Sequence, residues 1–70
     1  MDKAEVAALQ EYEDALTEFL ISVRARDGRS DFPLRQRLYT AGTEIERLKL
    51  RGTPAYSEAV LRADRNSWPR

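Results

Sequence analysis

Leu9 to Val23 read LQEYEDALTEFLISV, and Leu9, Tyr12, Leu16, Phe19 and Val23 recur there at steps of 3, 4, 3 and 4. That spacing draws one stripe along an α-helix and matches the seam by which paired helices interlock. Val6 and Leu20 widen the stripe, whereas Ile21 falls on the opposite side of the helix near Asp14. A helix marked in this way needs an apolar partner, and the rest of the chain is organised to supply one.

The partner lies just downstream. Leu34, Leu38, Ala41, Ile45 and Leu48 step at 4, 3, 4 and 3, the same seam period. Pro33 suits a first helical turn, where the missing N–H costs nothing. Between the stripes, Asp27 to Ser30 form a short polar turn, of the length that folds consecutive helices back antiparallel. The first helix is expected to start behind Asp2, with Glu5 three residues on as a capping box. It should end near Arg24 and Arg26, with Gly28 as a left-handed stop. The second is expected to run to Gly52, with small residues Ala41 and Gly42 at its middle leaving room for a ring such as Tyr12 or Phe19. Thr53-Pro54 then restarts a helix as cap and first residue, carrying Tyr56, Val60 and Ala63 as a short stripe. The predicted fold is all-α: an antiparallel helical hairpin at about 3–26 and 32–51 with a shorter third helix at about 54–66. It is either a three-helix bundle or half of a dimeric four-helix bundle.

Seventy residues make one small domain, and a chain of this size buries only about 60% of the surface its unfolded form exposes. Small domains make up the shortfall with disulfides, a metal or a partner. With no cysteine and no histidine, the disulfide is impossible and a zinc site has lost its usual ligands. Well-packed helices or association are left, and association is the more interesting option. The early acids Asp2, Glu5, Glu11, Glu13, Asp14 and Glu18 exclude the apolar core of a secretory leader, and no apolar run approaches the ~20 residues that span a bilayer. The expected compartment is the cytoplasm. Arginine and alanine abundance with little lysine, asparagine or isoleucine points to a GC-rich coding sequence, and so to a bacterial or phage source.

The same absences remove the commonest general base, metal ligand and nucleophile. Glu11, Asp14 and Glu18 share a helix face and raise the option of a cation site, against the plainer reading of a solvated acidic face. Glycine-rich phosphate loops are absent. Neither an enzyme nor a cofactor, metal or small-molecule substrate is expected.

Net charge is zero, yet residues 1–18 carry −5 and residues 19–70 carry +5. Arg24, Arg26, Arg29, Arg35 and Arg37 gather near the hairpin tip, facing only Asp27 and Asp31. Such a tip can bind phosphates or dock on an acidic protein, or it can simply complement helix dipoles. Ile21, Leu50, Leu61 and Trp68 are apolar residues that the seam does not use. The sequence therefore predicts a non-enzymatic interaction module, with a protein partner or a second copy of itself. Ile21, Leu50, Leu61 and Trp68 are its expected contact surface, and Arg24, Arg26, Arg35 and Arg37 its steering charges. Nucleic-acid binding through the arginine tip is the alternative.

Overall fold

The computed structural model describes residues 1–25 and 31–69. Among these residues there are three helices, α1 (Lys3–Ala25), α2 (Phe32–Arg47) and α3 (Pro54–Asn66), and no strand. The all-α expectation holds. The hairpin turn, with Arg26, Gly28 and Arg29, lies outside the described residues.

α1 begins with the expected reciprocal cap: the Glu5 N–H donates to Asp2 Oδ1 at 2.8 Å and the Asp2 N–H to Glu5 Oε1 at 3.4 Å. Two free donors of the first turn are thereby satisfied. Asp31 stands at the cap position of α2, but its carboxylate accepts from Arg35 Nε at 3.1 Å instead of from the backbone. At α3, Thr53 Oγ1 accepts from the Tyr56 N–H at 3.2 Å and donates to the Leu50 carbonyl at 2.7 Å. One hydroxyl thus starts α3 and closes the turn before it.

The end of α2 departs from expectation. The helix stops at Arg47, not at 51. Lys49 takes a left-handed conformation with φ 57°. The Leu50 N–H reaches back to the Ile45 carbonyl and the Lys49 N–H to that of Glu46, both at 3.0 Å. This is a Schellman closure, and its usual apolar contact joins Leu50 to Ile45. Leu50 is therefore 3% exposed. Its assignment to a contact surface is corrected: the turn swings it into the core.

Ala8, Leu9, Ile45 and Leu50 form that core, with Tyr12, Leu48, Ala55 and Tyr56 packed around it. Gly42 lies against the Tyr12 ring, Arg37 reaches Glu11 and Glu18, and Tyr56 touches Tyr12 while Arg62 reaches Glu13. α2 is thus antiparallel to α1, and α3 runs parallel to it. Both pack on α1, and their backbones make no close approach to each other. Away from the core cluster, the buried residues of the helices are the alanines Ala15, Ala41, Ala59 and Ala63, which let backbones come near but bury little side chain.

Two residues at α2 have exchanged their natural places. A Cβ on Gly42 would meet Tyr12 Cε1 at 3.7 Å and Arg51 Nη2 at 3.9 Å, ordinary contact distances. Gly42→Ala should stabilise the fold by about 1 kcal/mol through helix propensity, and Lys49→Gly by about 1 kcal/mol through relief of left-handed strain. Urea denaturation should show both midpoints raised at unchanged slope; a lowered midpoint for either refutes its local assignment.

Candidate interaction surface

Tyr12 fixes the geometry of the surface. Its ring lies against Gly42 of α2 on one side and 5.4 Å from the Tyr56 ring of α3 on the other. The face of α1 that carries Tyr12 therefore looks into the space between α2 and α3. Leu16, Phe19 and Val23 follow Tyr12 at 4, 7 and 11 residues and lie on that same face. Leu38 belongs to this side too, since it lines with Tyr12, Tyr39 and Gly42 a depression of about 350 Å³. Val60 follows Tyr56 by one turn on α3.

Burial along this face is graded. Leu9 is in the core; Tyr12, Leu16 and Phe19 are half-buried; Val23 is 47% exposed. Leu34, Leu38 and Val60 are half-buried as well, and Tyr39 at the lip is 76% exposed. The result is a trough floored by α1 and walled by α2 and α3, closed at the core end and open at the other.

Its closed end is tied by polar contacts. Arg51 Nη1 donates to Tyr56 Oη at 2.9 Å, with its guanidinium 5.4 Å from that ring, and Arg51 also pairs with Glu46 at 2.6 Å. Tyr56 Oη donates to Tyr12 Oη at 3.4 Å. Burial, and then the neighbouring Tyr56, push the Tyr12 hydroxyl above its ordinary pKa. At the far end Arg24 crosses beneath the C-terminus of α3. It donates to the Asp64 carbonyl at 3.1 Å, pairs with the Asp64 carboxylate at 2.6 Å, and lies 3.7 Å from the Trp68 ring centroid. A cation placed there satisfies free carbonyls and the helix dipole together.

The sequence-predicted contact residues do not assemble into one surface. Ile21 and Leu61 are both exposed. Ile21 is two residues from both Phe19 and Val23, hence about half a turn around α1 from the trough. Leu61 is likewise opposite Ala59 and Ala63, facing away from α1. Trp68, 57% exposed, serves Arg24. Among the steering charges, Arg24, Arg35 and Arg37 are closed onto carboxylates within the chain, and Arg26 is outside the described residues. What the sequence reading missed is the trough itself, because its lining was assigned to the intrachain seam. The signal was in α3, where Tyr56 and Val60 alternate with alanines too small to cover both other helices.

The acidic face is paired within the chain. Arg37 bridges Glu11, at 2.8 Å, and Glu18, and Asp14 accepts from Gln10. No group of acidic side chains among the described residues is placed to hold a metal ion. A second depression, of about 720 Å³, lies on the other flank of α2 between Phe32, Pro33, Thr40, Ala41 and the Glu11–Arg37 pair. The carboxylates at its edge, Glu11 and Glu44, are paired with Arg37 and Arg47. No helix of the described residues is long and apolar enough to cross a membrane. Comparison with known proteins found no matching family model, and no curated protein or solved structure that matches the chain.

The hydrogen bond from Arg37 holds the Glu11 carboxyl below its ordinary 4.5, and that from Arg47 does the same for Glu44. A lowered folded pKa gives stability that is present above 4.5 and lost as pH falls through the folded value. The thermal midpoint should therefore drop as the solution is acidified below 4.5. Arg37→Met should flatten the part of that drop due to Glu11 and leave the part due to Glu44. An unchanged acid profile in Arg37→Met would show that Arg37 does not hold Glu11 in solution.

Proposed function

We infer that the protein is a small non-enzymatic protein–protein interaction module, working in the cytoplasm and docking through the apolar trough between α2 and α3. One observation carries the reading: the best-patterned apolar stripe of the chain is left half-covered at Leu16 and Phe19 and uncovered at Val23. Isolated exposed hydrophobes mean little, but a continuous stripe on the floor of a concave face is what helix-in-groove recognition uses. The flanking charges are closed into pairs within the chain, so they define the polar rim and contribute little attraction of their own.

Nucleic-acid binding through the arginine tip has weaker support. Arg24, Arg35 and Arg37 would have to release Asp64, Asp31 and Glu11 before meeting phosphates. Retention on DNA or RNA columns that falls steeply with salt would revive it.

The docking reading is tested without knowing the partner. A photo-crosslinking benzoylphenylalanine at position 23 or 39, in cells expressing the chain, should yield covalent protein adducts, and one at position 21 or 61 should not. Adducts missing from 23 and 39, or equally frequent from 21 and 61, would remove the trough as the docking face.

A further inference from the structure

We propose that the occupant of the trough is a second copy of this chain, the two troughs closing on each other about a two-fold axis near Phe19. The proposal rests on the trough being a docking face, and adds its occupant.

Three observations select an identical chain. The first is area. The chain exposes 5130 Å², whereas a compact monomer of 8.1 kDa exposes about 4,500 Å². The excess of about 600 Å², spread over the whole chain, is of the order of the ~800 Å² that each partner contributes to a standard stable interface. The radius of gyration agrees, at 12.3 Å against about 11 Å for a compact domain of this length. A single added helix would cover the floor of the trough but leave its lips, including Tyr39, in water.

The second is charge. Around a two-fold axis each residue meets its own counterpart or a near neighbour, so a charged centre would face its like. Leu16, Phe19, Leu38 and Val60 carry none. The nearest rim charges, Glu46 with Arg51 and Asp64 with Arg24, are already neutralised in pairs. The whole chain is neutral, so two copies meet no net repulsion.

The third is the core. Ile45 is the only large side chain fully buried among the described residues, and most of the remaining buried hydrophobics are alanines. A chain that holds so little of its own interior needs its partner whenever it is folded, and the partner always present at synthesis is another copy. In the dimer the α1 helices of both chains floor one apolar seam, and α2 and α3 of each chain wall it. Val23 and Tyr39, exposed in the single chain, meet the other protomer.

The test is solution mass by light scattering, on the purified full chain over a wide dilution series. The wild type should hold twice the 8.1 kDa chain mass. Val23→Asp and Tyr39→Asp should each bring it to the single-chain mass, and Leu61→Asp, on the outer face of α3, should leave the dimer intact. Both test positions are exposed in the single chain, so the substitutions do not disturb its own core. A wild type of single-chain mass throughout overturns the proposal, as does a dimer that survives both substitutions. The two readings fail separately: a monomer that still gives adducts from position 23 overturns only the second copy, whereas loss of those adducts overturns the trough itself.

Discussion

The contact between Ile45 and Leu50 is what the three helices share. The left-handed Lys49 turns the chain so that both side chains enter one cluster with Leu9 and Ala8. That turn ends α2, positions Thr53 as the cap of α3, and delivers Tyr56 to Tyr12. A chain with no disulfide depends on this one knot of aliphatic side chains, since the alanine contacts further along bury much less surface. The strained backbone at Lys49 is held because the apolar contact over-determines it.

From that knot, α1 acts as a spine that α2 and α3 grip independently. The pairs between helices differ in cover. Glu13 and Arg24, both on the side of α1 toward α3, have side chains only 14% and 17% exposed, whereas Arg37 and its two carboxylates on the α2 side are more open. Such pairs contribute little stability where they are open, but at fixed positions they specify the register and direction in which each helix lies on α1. Charge fixes the alignment and the apolar knot holds it. The separation of acids into residues 1–18 and bases into the remainder is then internal complementarity: α1 brings the acids, and α2 and α3 bring most of the arginines that meet them.

Much of this was legible in the sequence, and the parts that were not share a cause. Helix existence, the Asp2–Glu5 box, Pro33 in the first turn of α2, and the Thr53 cap of α3 are local features, written within a few residues. The early end of α2 was hidden because a lysine, not Gly52, takes the left-handed position. That choice is decided by where Leu50 can be buried, which is a tertiary fact. The seam periodicity correctly marked which face of each helix is apolar. It does not encode how far apart two helices lie, so it placed Leu16, Phe19 and Val23 in a closed interior when α2 and α3 in fact stand clear of each other. Ile21, Leu50, Leu61 and Trp68 have in common only that they lie off the stripe, and residues so related have no reason to share a surface.

The contact of Trp68 with Arg24 has a spectroscopic consequence. Trp68 is the sole tryptophan, and it lies where α3 is fastened to the end of α1, far along the spine from Ile45. Its emission therefore watches the latch of α3, while the far-ultraviolet circular dichroism of the chain averages over all three helices. The chain carries its own two-channel readout. Coincident transitions would mark a single cooperative unit, and an earlier change in tryptophan emission would show α3 loosening while the knot at the other end still holds.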